Sequence, residues 1–166
     1  MFEQHFLDES LLQLRKLKAQ AENAIAQVDD TQFSALLDPD ANSIALIMKH
    51  VAGNMRSRWT SFLETDGEKA DRDRDSEFEA TIGDSREVIL ERWEDGWSLT
   101  LAAISSLKPA DLDRTVTIRG EPHTVLRAIN RQVSHYSGHV GQIVLLAKHF
   151  AGPQWQTLSI AKKAKG

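Results

Sequence analysis

TVLRAINRQVSHYSGHVGQIVLLAKHF (124–150) is the stretch whose reading decides the fold. Leu126, Ile129, Val133, Tyr136, Val140, Ile143 and Ala147 recur in it at intervals of three and four, the period of an amphipathic helix. Gly152-Pro153 follows and ends that helix. His135 and His139 lie four residues apart within it, so they project from one helical face. They share that face with Gln132 and Gln142, beside the apolar stripe rather than opposite it.

Upstream, three more segments carry the same period. The first runs from Phe2 to about Val28, free of Gly and Pro, with Phe6, Leu7, Leu11, Leu14, Leu17, Ala21, Ala24 and Ile25 in register. Asp38-Pro39-Asp40 breaks the chain, and Asn42 or Ser43 can cap a second helix carrying Ile44, Ile47, Met48, Val51, Met55, Trp59 and Phe62. A third is expected from near Asp84, where Asp84 and Glu87 have capping-box spacing, through Trp93 and Trp97 to a stop at Pro109. Between the third and fourth helices, Thr115–Ile118 and Glu121–Thr124 flank Arg119-Gly120 and read as a short hairpin. The class is therefore all-α: a four-helix bundle with a small β-hairpin, one domain over residues 1–166 with a tail from about 152. The polar segment 65–83 is long for a helix connection, and loops of that length are either functional or disordered.

Composition narrows the chemistry. The net charge is −4, which argues against nucleic acid as a partner, because phosphate binding needs a basic face. Lys162, Lys163 and Lys165 read as a solubilising end. The absence of cysteine removes disulfides, cysteine nucleophiles and thiolate ligands together. No apolar run reaches membrane-spanning length and the N-terminus is acidic, so the expectation is a cytoplasmic protein with no membrane partner.

A third histidine, His50, lies on the second helix in company with Gly53, Asn54 and Ser57. Small and polar residues beside a core stripe suit a lined cavity between helices, where bundles build metal and ligand sites. Three imidazoles leave a coordination position open, the pattern of a catalytic metal ion. The spacing alone is weak, since six histidines would place some pair four apart roughly one time in six. Partly buried, hydrogen-bonded histidines are the plain alternative. His5, His123 and His149 have no comparable neighbours and read as surface or hairpin residues.

Longer blocks say more than the spacing. ANSIALIMKHVAGNMRSRWTSFL (41–63), DGEKADRDRDSEFE (66–79), TIRGEPHTVLRAINRQVSHYSGHVGQIVLLAKHF (117–150) and WQTLSI (155–160) together resemble the DinB/YfiT-like superfamily, in its DUF1572 branch. The resemblance implies a bundle of up-down-down-up order, often a homodimer, and one divalent metal ion, usually zinc or nickel. Carried over residue by residue, the metal ligands fall on His50, His135 and His139. Relatives in the wider superfamily include transferases using low-molecular-weight thiols such as bacillithiol or mycothiol, and a maleylpyruvate isomerase using mycothiol. The branch itself brings no settled activity.

Three functions follow as expectations. The first is a metal-dependent S-transferase acting on a small thiol. Three neutral imidazoles add no charge to the ion, whose Lewis acidity would deprotonate a bound thiol without any protein nucleophile. The second is a metal-dependent hydrolase, which needs a general base; Gln132, Gln142, Asn54 and Tyr136 are poor ones, and 24 acids offer too many candidates to choose among. The third is a non-catalytic dimeric binding module, with Trp59, Trp93, Trp97 and Trp155 available for an interface or pocket, although Trp93 and Trp97 at i, i+4 read first as core packing. In Arg72-Asp73-Arg74-Asp75 alternating charges suggest a solvated face. Arg72 or Arg74 over the cavity mouth, and Arg58, Arg56 and Asn54 from the second helix, are candidate contacts to a small-molecule substrate.

Overall fold

The computed structural model describes residues 2–160, so the lysines at 162, 163 and 165 lie outside the described residues. Five α-helices and one hairpin are present among them: α1 (Phe2–Ile25), α2 (Asp30–Ser34), α3 (Ile44–Trp59), α4 (Arg86–Ser105), β1 (Thr115–Ile118), β2 (Glu121–Thr124) and α5 (Val125–Ala151). No helix among the described residues is long and apolar enough to cross a membrane. The long helices pack chiefly as the pairs α3 with α4 and α1 with α5, joined by contacts of α3 with α5 and of α1 with α4. One continuous core fills the space between them, centred on Leu14, Met48, Met55, Trp93, Trp97, Ile129 and Tyr136.

Local chemistry sets the ends. The Thr124 hydroxyl accepts from the Arg127 N–H (3.1 Å) and starts α5. Gly152, at φ 53°, ends it in a conformation that favours glycine. Ser43, of the two candidate caps, starts α3 by accepting from the Leu46 N–H (3.2 Å). For α4 the cap is Ser85, not Asp84. The Asp84 carboxylate instead accepts from Lys49 Nζ and from the backbone and hydroxyl of Thr81, fastening the end of the preceding loop to α3. The first helix stops at Ile25 rather than Val28, because Asp29 caps the short α2 with a reciprocal Gln32 bond and drops Phe33 into the core.

Three of the four tryptophans belong to that core. Trp59, Trp93 and Trp97 are buried within the chain, Trp93 and Trp97 in the core as their i, i+4 spacing suggests, so none of the three offers an exposed interface; Trp155 is half-buried. The hairpin turn is Arg119-Gly120, both at positive φ (56° and 75°), as a two-residue turn between twisted strands requires.

The segment 65–83 is packed against α3. The Asp66 carboxylate accepts from the N–H groups of Arg119 and Gly120 (2.9 and 2.8 Å), and the Gly67 N–H donates to the Thr117 carbonyl (2.8 Å). The Ser57 hydroxyl donates to the Gly67 carbonyl and accepts from the Lys69 N–H. A 3-10 turn, Asp75–Phe78, then lies on α3. The loop thus covers the polar face of a helix that is buried nearly all round.

Candidate metal centre

The path of that loop gives His50 its partner. His50 is buried on α3, and its Nδ1–H donates to Glu77 Oε2 (2.8 Å) from the 3-10 turn. The His50 ring stacks on Phe78, with centroids 4.5 Å apart. Glu77 can approach because residue 53 is glycine: a Cβ there would overlap the Glu77 carboxylate. The same carboxylate takes a two-pronged bond from Arg72, Nε to Oε1 and NH2 to Oε2, both 2.8 Å. Arg72 in turn reaches Glu68 (3.1 Å). Its side chain is 5% exposed, so the solvated-face reading of the alternating charges fails at Arg72 and holds at Asp73 and Asp75.

The other two histidines come from α5, half-buried and facing His50. Ring centroids are 5.6 Å apart for His50 and His135, 5.0 Å for His50 and His139, and 4.6 Å for His135 and His139. One ligand nitrogen from each lies within 4.8 Å of the others. His139 Nδ1 faces Gln142 Oε1 at 2.9 Å, so Nδ1 carries the proton and Nε2 is the free end, as it is in His50. His139 Nε2 and His135 Nε2 face each other at 3.1 Å. Two nitrogen lone pairs that close repel unless a proton or a metal ion lies between them.

Burial supports the metal. It pushes His135 down to about 3, with the cationic Arg72 and Arg58 adding to it, and it lowers His139 as well. Both rings are therefore neutral at pH 7, the form that ligates. Two nitrogens each about 2.1 Å from a tetrahedral ion sit roughly 3.4 Å apart, close to the 3.1 Å between the Nε2 atoms of His135 and His139. Acceptors on His50 and His139 supply the outer-shell orientation that metal-bound histidines commonly have. The donor set fits a divalent ion.

The profile of the family described as "Protein of unknown function (DUF1572)" matches residues 1–164. The chain belongs to the DUF1572 family. No curated protein matches it.

In this DUF1572 protein the candidate substrate contacts divide. Arg58, Arg72, Arg74 and Asn54 line a cavity of about 200 Å³ together with His50 and His135. Asn54 is held there from the core side: Trp59 Nε1–H donates to the Tyr136 hydroxyl (3.0 Å), which donates to Asn54 Oδ1 (3.2 Å). Arg56 is elsewhere, largely exposed and 3.8 Å from Asp71. It borders a larger groove of about 1160 Å³ between α3 and α4, which Arg72 and Glu77 also line but no histidine reaches. The smaller cavity is the one that His50 and His135 line.

His5 and His149 are exposed as expected, whereas His123 on the hairpin is buried with neither ring nitrogen bonded. Sequence reasoning missed Glu77, Arg119 and Arg131, the last two also cavity-lining. Gly53 was the available signal for Glu77, since a glycine inside a buried helix marks a close approach.

Proposed function

We propose that the protein is a metal-dependent enzyme of the DinB-like type, holding one divalent ion, zinc or nickel, on His50, His135 and His139 and transferring the sulfur of a low-molecular-weight thiol. The carrying observation is the convergence of three imidazoles from α3 and α5, with His50 and His139 anchored through Nδ1 and the Nε2 atoms of His135 and His139 left facing each other. Such an ion, when bound, supplies Lewis acidity that lowers the pKa of a small thiol.

The chain's residues hold and orient. Glu77 fixes the His50 ring, Gln142 fixes His139, and Phe78 shields one side of the site from water. In the transfer the sulfur forms a bond to the electrophile's carbon, its proton passes to solvent, and the leaving group departs with its bonding electrons. No protein nucleophile is needed, in keeping with the absence of cysteine.

Hydrolysis is the weaker reading. Burial raises the proton affinity of Glu77, but bonds from His50 and Arg72 outweigh it and hold the carboxyl below its ordinary range. Both its oxygens are engaged, so it is a poor acceptor for a proton from water. Burial pushes the Tyr136 phenol up, which keeps it neutral. The finer features of the proposal are the up-down-down-up helix order, a homodimer and a cytoplasmic location. The pairwise packing of the long helices supports the first.

The test is turnover of thiols with alkyl halide or epoxide acceptors by the zinc- or nickel-loaded protein, read as conjugate formed. Conjugation that disappears on chelation and in His139→Ala supports the proposal. Thiol loss at the same rate with and without metal, or hydrolysis of esters in its place, counts against it.

A further inference from the structure

Five arginines, Arg58, Arg72, Arg74, Arg119 and Arg131, line the 200 Å³ cavity beside His50 and His135, and no carboxylate does. Three of the five have acidic partners within 3.5 Å: Arg72 has Glu77 and Glu68, Arg119 has Glu68 (3.4 Å), and Arg74 has Asp75 (3.5 Å). Arg58 has only the longer Glu68 pair, and Arg131 has none among the described residues.

Arg58 is 2% exposed, and neither its Nε nor its NH1 has a hydrogen-bond partner among the described residues. Glu68 lies 3.9 Å from its NH2 and is already engaged by Arg72 and Arg119. Gly67 packs so closely on this guanidinium that a Cβ would overlap NH1, so the loop holds the charge where it is. Arg131, on α5 one turn before His135, is exposed and has no ion-pair partner among the described residues. Gln132 beside it is buried with its carbonyl oxygen unpaired. With Nε and NH1 unpaired and Glu68 only within 3.9 Å of NH2, the buried Arg58 charge is incompletely compensated, and a further counter-charge would stabilise it.

We infer that this cavity is an anion subsite: it takes a carboxylate carried by the substrate, held by Arg58 and Arg131 next to the metal-binding histidines. The guanidinium fork matches a carboxylate's two oxygens. At about 200 Å³ the cavity is smaller than a site for a whole drug-sized ligand, about 300–1,000 Å³, so it accepts one end of the molecule. A divalent ion on three neutral ligands would add to the positive surplus, of which a thiolate offsets one charge, leaving room for a carboxylate as a second anionic group. The inference rests on the proposed thiol chemistry for its substrate class, but the subsite itself does not depend on the metal.

Two titrations separate those dependences. Acetate is titrated into metal-free protein, followed by amide and arginine side-chain NMR shifts, for wild type, Arg131→Gln and Arg58→Lys. Mercaptoacetate and cysteamine are then titrated into zinc-loaded protein. Saturable acetate binding that shifts the Arg58 and Arg131 signals and weakens about tenfold or more in Arg131→Gln is expected. Arg58→Lys keeps the charge but loses the fork and weakens it too. Zinc-loaded protein is expected to prefer mercaptoacetate to cysteamine, with the preference reduced in Arg131→Gln. Acetate affinity unchanged in both variants, or no acetate binding, overturns the subsite. Failure to bind zinc while acetate binds as described would overturn the metal reading and leave the subsite standing.

Discussion

Glu77→Gln tests whether the loop is part of the metal site. Glu77 is 7% exposed and accepts from His50 and, twice, from Arg72, whose side chain is 5% exposed. An amide can still accept from His50, but it presents an N–H group or a neutral oxygen to Arg72. Removing one partner of a buried pair costs about 3–5 kcal/mol; Arg72 keeps Glu68, which brings the expectation to about 2–3 kcal/mol. For a chain of this size that is a fall in Tm of about 5–10 °C. Loss of an outer-shell partner weakens metal binding about 10–100-fold, and since an amide oxygen still orients His50 the lower end applies. Differential scanning calorimetry of the metal-free protein and zinc competition against a chromophoric chelator read the two effects separately. A Tm within about 1 °C of wild type together with an unchanged zinc Kd would refute the reasoning, because Glu77 would then hold neither Arg72 nor His50.

Two more predictions use the same contacts. Gly53→Ala should lower stability by about 1–3 kcal/mol and weaken zinc binding, although alanine is the better helix former, because its methyl displaces the Glu77 carboxylate. A raised Tm with zinc affinity intact would mean that Glu77 moves aside freely. For Asp84, burial raises the pKa, but Lys49 and Thr81 bonds outweigh it and hold the folded value below the unfolded one, about 3.9. Its contribution is therefore present in full above about pH 4 and lost as pH falls through the lower folded value. Urea unfolding of wild type and Asp84→Asn should show a gap at pH 7 that closes below about pH 4; a gap independent of pH would contradict this.

What the sequence made legible is what local chemistry encodes. The fourth long helix was expected over 124–150 and runs Val125–Ala151, since a threonine cap, a glycine stop and a three-four apolar period all lie within it. The hairpin was read to the residue because Arg119-Gly120 suits a two-residue turn. The short α2 escaped because five residues carry no period. Asp84 and Ser85 are both good caps, and only the tertiary bond from Lys49 takes Asp84 away.

The site divides along the same line. Its histidines were found by helical offset and family resemblance. Glu77 reaches His50 across 27 positions of chain, and nothing local distinguishes it from 23 other acids. Arg72 and Arg74, alike in sequence, differ because the loop turns one inward to two glutamates and leaves the other half-exposed.

Whether three imidazoles hold one metal ion is open to direct measurement. Wild type and His135→Ala, each exposed to zinc or nickel and dialysed against metal-free buffer, can be compared by elemental analysis beside their Tm values. The account predicts about one ion per chain in wild type and a small fraction of that in the variant, which folds but gains no thermal stability from added metal. Equal metal content in the two proteins, or none in wild type, would contradict it.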